Sequence, residues 1–248
     1  MSIHVVFRIR NFFVINFRAY TTKLFYLLLT AFLISCDNQP SYLPSGKNKH
    51  LHYEIIFIDK EKITKKYKQS YFLKKSDKRK SVLVRSDGKV IEYEKEPQRL
   101  ILKDVQYLFP GLVDRPKEKL EFERENIVYQ MSLEKNKSWS TNDLTTLVLK
   151  LGYDRIYRTL LPINIENKLI SLNETVKIKD KILKNCLKIE GFGQTSFFPG
   201  PPLDKIDIKV KKTEWYAPGL GLVKLVREEI SDSETMGNIY YEKVMNFD

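Results

Sequence analysis

Histidine and cysteine are nearly missing from this 248-residue chain, which has three of the first and two of the second. Two histidines, His50 and His52, form a His-x-His pair that would share one face of a strand, but the sequence offers no third ligand beside them. A structural zinc site is thereby excluded, and no metal is expected. Cys36 and Cys186 are the only thiols. Gly-x-Ser-x-Gly and phosphate-binding glycine loops are also absent, and Gly191-Phe-Gly193 and Gly219-Leu-Gly221 read as isolated turn or bulge glycines with no helix pattern behind them. With no histidine-based set for acid–base or nucleophilic work, no enzyme activity and no cofactor are expected.

A long hydrophobic run is missing as well. The longest, residues 24–34, has 11 residues and is preceded by Lys23. At 1.5 Å per helical residue it covers about half of a roughly 30 Å hydrocarbon layer, too little for a transmembrane helix but the length of a signal-peptide core. It ends in Leu33-Ile34-Ser35-Cys36, with Asp37 next. A branched apolar residue, a tolerant position, a small residue and a cysteine resemble the lipobox of bacterial lipoproteins. That resemblance implies cleavage between Ser35 and Cys36 and lipid attachment at the Cys36 sulfur. Residues 1–35 are then a signal peptide, and the acyl chains make the membrane a partner. Asp37 is similar to the inner-membrane retention signal of enteric bacteria, which points to the periplasmic face of the inner membrane rather than the outer membrane. Residues 36–50, rich in Pro, Ser, Asn and Gly, read as an irregular tether to one domain at 51–248. Acylated Cys36 leaves Cys186 without a disulfide partner, and a lone thiol in an oxidising compartment lasts best when buried.

The charge of +12 suggests nucleic acid until it is divided. Four of those positive charges, Arg8, Arg10, Arg18 and Lys23, precede Cys36, where no acid balances them, leaving +8 for the mature chain. The excess is lysine, scattered in pairs such as 65–66, 74–75 and 211–212. No arginine-rich tract exists, so a solvated surface is expected and no nucleic-acid partner.

From Leu51 onward, short alternating runs between turn residues dominate. In Asp204–Lys211, Ile206, Ile208 and Val210 fall on one face and charged residues on the other, as a half-buried strand requires. Further strands are predicted near 51–58, 67–73, 81–85, 89–94, 100–108, 119–123, 126–133, 175–179, 182–190, 221–227 and 238–245. Asp87-Gly88 marks a two-residue hairpin turn. Ser140 with Asp143 and the spacing of Leu144, Leu147, Val148 and Leu151 before Gly152 predict one short helix packed on the sheet. The expected fold is mainly β, a curled antiparallel sheet or half-barrel carrying that helix.

In Trp215-Tyr-Ala-Pro-Gly-Leu-Gly-Leu-Val223, Pro218 and Gly219 suit the centre of a type II turn beside Tyr216, and Gly221 would admit a close approach. The stretch resembles the Tyr-Ala-Pro-Gly-x-Gly-x-Val signature of a group of uncharacterised bacterial envelope proteins, often lipoproteins, over residues 175–245. It implies a curved antiparallel sheet, like the half-barrel of lipoprotein carriers, and no established activity. Phe192, Phe197 and Phe198 precede a proline-rich loop and are candidates for the lip of an apolar cavity. The function expected is a noncatalytic envelope lipoprotein that binds a lipid-like ligand or an envelope protein. The alternative is a structural or assembly lipoprotein with no small ligand, and an anchored hydrolase is the least supported. A cavity of several hundred Å³ would favour the ligand, and a packed interior the structural role.

Overall fold

The computed structural model describes residues 41–46, 49–59, 62, 64–77, 79–96, 98–107, 126–131, 138–151, 155–158, 161–200 and 204–247. The predicted signal peptide, Cys36 and the strand predicted at 119–123 lie outside them. Ser41–Asp248 is one compact unit.

Fourteen strands follow in order: β1 (Lys49–Ile58), β2 (Thr64–Ser76), β3 (Lys80–Arg85), β4 (Lys89–Lys95), β5 (Arg99–Tyr107), β6 (Asn126–Gln130), β7 (Ser138–Leu144), β8 (Val148–Leu151), β9 (Arg155–Arg158), β10 (Pro162–Ile178), β11 (Lys181–Phe197), β12 (Ile206–Ala217), β13 (Gly221–Ser231) and β14 (Asn238–Asn246). Twelve of them form one antiparallel sheet in the order β6-β5-β4-β3-β2-β1-β14-β13-β12-β11-β10-β7, and β8 with β9 makes a separate hairpin. Each strand of the large sheet pairs with its sequence neighbour, apart from β1 on β14 and the jump from β7 to β10. The two edges, β6 and β7, are also consecutive in the chain and face one another. The Trp139 indole on β7 donates a hydrogen bond to the Ile127 carbonyl on β6 (2.9 Å), so a side chain joins the seam of a nearly closed barrel.

Alternation explains why these segments are strands. On β12, Ile206, Ile208 and Val210 are buried between outward residues, and on β1 Leu51, Tyr53 and Ile55 do the same. Three apolar clusters fill the interior. One, around Leu51, Leu73, Val176 and Met245, sits at the end of the barrel where β1 begins. A second, around Leu147, Ile163, Ile206 and Met236, fills the opposite end. The third gathers Tyr42, Leu43, Tyr129, Trp139 and Tyr216 behind the seam.

No helix occurs among the described residues, and the helix predicted over 140–151 is replaced by β7, a bend and β8. Trp139 and Thr141 are buried while Ser138, Ser140 and Asn142 face out, a period of two. Asp143, read as the far side of a capping box, instead accepts from Arg227 Nη1 (2.5 Å). Glu229, fully buried, accepts from the Thr146 backbone N–H (2.8 Å) and hydroxyl (3.0 Å), which the helix would have committed elsewhere. A buried carboxylate in need of donors outweighs the local helical spacing.

Two glycine expectations also change. Gly191 and Gly193 lie mid-strand in β11, opposite Asn167 and Ile165. A Cβ on Gly191 would meet Asn167 Oδ1 at 2.6 Å, so glycine is needed there for the close packing of β10 on β11. The turn after β3 has three residues, Ser86-Asp87-Gly88, with Gly88 at φ 84° and its N–H donating to the Arg85 carbonyl (2.9 Å). That is a type I turn closed by a left-handed glycine.

Replacing Trp139 by Phe keeps an aromatic side chain and removes the indole N–H together with the five-membered ring that carries it. It is expected to lower stability by about 1–2 kcal/mol and to speed amide exchange in β6 and β7 selectively. An unchanged urea midpoint and exchange pattern would show that the seam does not depend on this bond.

Candidate functional site

The residues of the predicted tether that the structure describes do not hang free. Ser41–Ser45 form a strap across the mouth of the barrel, with Tyr42 and Leu43 each 3% exposed. Three points hold it. At the β12–β13 turn, the Gly219 N–H donates to the Ser41 carbonyl (2.7 Å) and the Ser45 N–H to the Gly219 carbonyl (3.0 Å). Ser76 at the end of β2 donates its hydroxyl to the Pro44 carbonyl (3.0 Å). The Tyr42 hydroxyl donates to the Asn185 carbonyl on β11 (3.2 Å). Tyr42 then meets Tyr129 edge-on, at 6.2 Å between ring centres, and Tyr129 meets Tyr216 at 5.3 Å.

The Tyr216–Gly221 stretch is the receptor for this strap. Gly219 has φ 67° and Gly221 φ 82°, and the Leu220 N–H donates to the Ala217 carbonyl (3.2 Å) across the turn that carries Pro218. A Cβ on Gly221 would lie 2.8 Å from the Pro44 ring, so the close approach at this glycine is made by the strap itself.

Beneath the strap is a cavity of about 80 Å³, walled by Tyr42, Leu43, Tyr53, Tyr71, Tyr93 and Lys243, among others. Lys243 is its one ammonium. On β14 it shares the inward face with Ile239 and Met245, and it is 8% exposed. Its Nζ donates to the Tyr71 hydroxyl (2.8 Å) and to Gln69 Oε1 (3.1 Å). It also lies 4.3 Å from the centre of the Tyr53 ring and 4.4 Å from that of Tyr71. Tyr53 is held by donating to the Leu222 carbonyl (2.9 Å). Among the described residues no carboxylate lies within ion-pair distance of Lys243. Burial, helped by the positive charges of Arg85 and Lys89 and opposed by Glu214, brings its pKa down from 10.5 to about 7. Burial likewise pushes the Tyr53, Tyr93 and Tyr216 hydroxyls up, so the tyrosines stay neutral. The result is an aromatic box around one amine that is poised between charge states near neutral pH. Its polar partners are an amide and a phenol, which hold the amine in place.

The other predicted residues are placed elsewhere. Phe192 and Phe198 are exposed (54% and 66%), whereas Phe197 packs inward on the cluster at the far end, so the structure does not bring the three together. Phe192 borders an open trough of about 420 Å³ on the outer face, lined mainly by Ser138, Ser140, Asn164, Glu166 and Gln194. Phe192 is among its lining residues, and neither Phe197 nor Phe198 is. His50 and His52 stack on the outer face at 6.1 Å, and His52 Nδ1 pairs with Ser70 (2.8 Å). No group of three metal-binding side chains occurs among the described residues. Cys186 is fully buried, and that burial raises its thiol pKa. The strap and Lys243 were the features that sequence reasoning missed. The available signals were Tyr42-Leu43 inside a Pro/Ser-rich segment and a lysine in step with Ile239, Tyr241 and Met245.

No protein-family model matches the chain, and no curated protein matches it. Two solved structures resemble it in outline. One is a "putative lipoprotein" of Parabacteroides distasonis, 14% identical, with a TM-score of 0.42. The other is a "putative exported protein with YmcC-like fold" of Bacteroides fragilis, 12% identical, with a TM-score of 0.38. In both cases 84% of this chain and 98% of the other are covered.

The depressed Lys243 pKa has a definite sign. Between pH 7 and 10.5 the unfolded chain holds a proton that the folded chain releases, so stability should climb with pH through that window and lose that slope below it. The rise is expected to be on the order of 3–5 kcal/mol across the window. Lys243→Met should be the more stable protein at pH 7 and should lack this rise between pH 7 and 9. Parallel slopes in urea titrations of the two proteins would remove Lys243 as the cause.

Proposed function

We propose that the protein is a lipid-anchored, noncatalytic component of the cell envelope that works through its outer surface, as a structural or assembly element or by holding an envelope protein partner. The observation that carries this reading is the filled interior. The strap occupies the mouth of the barrel, and the cavity beneath it measures about 80 Å³, room for a few waters, where a lipid-like ligand needs several hundred. The anchor rests on the basic flank, the 11-residue apolar run and the Leu33-Ile34-Ser35-Cys36 box. A noncatalytic role is supported by the placement of both histidines together on the outer face, away from the inward Lys243.

The lipid-like ligand is the second reading, and one feature favours it. The strap is held by a few hydrogen bonds and two side chains, and the chamber behind it is walled by tyrosines and aliphatic residues. A ligand of that kind would have to take the place of Tyr42 and Leu43.

Labelled palmitate should enter the wild-type protein and be lost from Cys36→Ser; undiminished incorporation in that variant would sink the anchor. The native mass of the extracted protein is expected to equal residues 36–248 plus acyl chains. A retained amphiphile in that spectrum would overturn the filled-interior reading in favour of the second.

A further inference from the structure

The strap fixes which end of the barrel a chain tethered at Cys36 can present to a membrane. Ser41 is bonded to Gly219 at the rim, and only five Cα steps separate it from Cys36. Five extended residues span at most about 18 Å. A sulfur held at the bilayer surface therefore keeps this rim close to the headgroups. Tyr42 is bonded to Asn185, so the neighbouring tip of the β10–β11 hairpin belongs to the same rim. The chemistry of that tip is distinctive. Lys177, Lys181 and Lys184 are all exposed, with Asp180 between them in sequence and Lys179 paired with Glu54 (3.0 Å), and Ile182 is 62% exposed in their midst. Lys74 and Arg79, beside the Ser76 that holds Pro44, add exposed positive charge on the same rim.

Exposed lysines around an apolar side chain, at the end from which a short leash runs to the anchor, match a surface of anionic lipid. Lysine stems can lie along the interface while their ammonium groups meet phosphates, and the isoleucine gains by leaving water. We infer that this rim, with the β10–β11 hairpin tip as its contact, is a docking face for anionic phospholipid headgroups and sets the orientation of the barrel on the membrane. The inference rests on the lipid anchor proposed above. The chain also supplies its own control, because Lys65, Lys66 and Lys68 are exposed as well but lie on β2 toward the opposite end, next to the β1–β2 turn.

The test attaches the chain chemically, so it does not depend on acylation in the cell. Residues 36–248 are coupled through the Cys36 thiol to maleimide-bearing phosphatidylethanolamine in vesicles, Cys186 being buried and out of reach. Lysines are then acetylated briefly and quantified by mass spectrometry on vesicles with and without phosphatidylglycerol. Phosphatidylglycerol is expected to protect Lys177, Lys181 and Lys184 by about 5-fold or more, with the protection lost in high salt, and to leave Lys65, Lys66 and Lys68 as they were. Equal protection of both sets, protection of the β2 set alone, or no dependence on phosphatidylglycerol would overturn the docking face. Protection as expected beside a palmitate experiment that fails would keep the face and remove the native anchor. The converse would keep the anchor and remove the face.

Discussion

A twelve-stranded sheet that curls until its edges meet has to fill what it encloses, and much of this structure follows from that need. Eight strands close a barrel just wide enough for side chains to fill, whereas sixteen or more leave an open channel. Twelve fall between, too wide for inward side chains of ordinary size alone. The chain answers with large residues, Tyr53, Tyr71, Tyr129, Trp139 and Tyr216, and with a piece of backbone, the Ser41–Ser45 strap. The strap in turn requires glycine where it crosses the β12–β13 turn. The edges themselves are short, five residues in β6 and seven in β7, and face each other rather than another chain.

Curling also forces polar groups inward, and two of the buried charged sites differ in how they are balanced. Arg227 places Nε on Glu229 (2.7 Å), Nη1 on Asp143 and Nη2 on the Leu144 carbonyl (2.8 Å). Glu229 completes its coordination with Thr146, so that network is satisfied within the chain and ties β13 to the bend after β7. Such a network specifies register, because a one-residue slip of β13 would turn Arg227 and Glu229 outward and bring Val226 and Ile230 in. Lys243 has neither a carboxylate nor a strand crossing to secure. Its neighbours are an amide, a phenol and two ring faces, which stabilise an ammonium poorly compared with water, and its lowered pKa expresses that deficit.

What could be read from the sequence was what alternates simply. Ile206, Ile208 and Val210 announce β12, and nearly every strand placed by that rule recurs within a few residues. The first half of β10 did not announce itself, because Asn167 stands in its buried row. Its amide is held by Thr141 Oγ1 (2.9 Å) and the Ile165 carbonyl (3.1 Å), partners that no local pattern reveals. The same blindness produced the helix at 140–151. Leucine spacing is a local property, whereas the demand of Glu229 for the Thr146 N–H arises from a strand more than eighty residues away. In β13 the deceptive feature is an inverted face, with Arg227 and Glu229 inside and Ile230 48% exposed. Charges buried by tertiary pairing cannot be told from solvated ones by polarity alone. The alternation of opposite signs two residues apart, Arg227 then Glu229, is the one local trace they leave.

The strap joins two problems that the sequence presents separately. Proline and serine around Tyr42 suggest a spacer, and a spacer would decouple the folded domain from whatever precedes it. A buried strap does the reverse. Each residue of Ser41–Ser45 that is fixed loses its own conformational freedom, which only the burial of Tyr42 and Leu43 and the bonds to Gly219, Ser76 and Asn185 offset. Packing the core and placing the exit of the chain are therefore one event. A substitution that loosens the Tyr42–Tyr129–Tyr216 stack would free the strap as well as open the chamber, so the cavity and the exit of the chain cannot be varied independently.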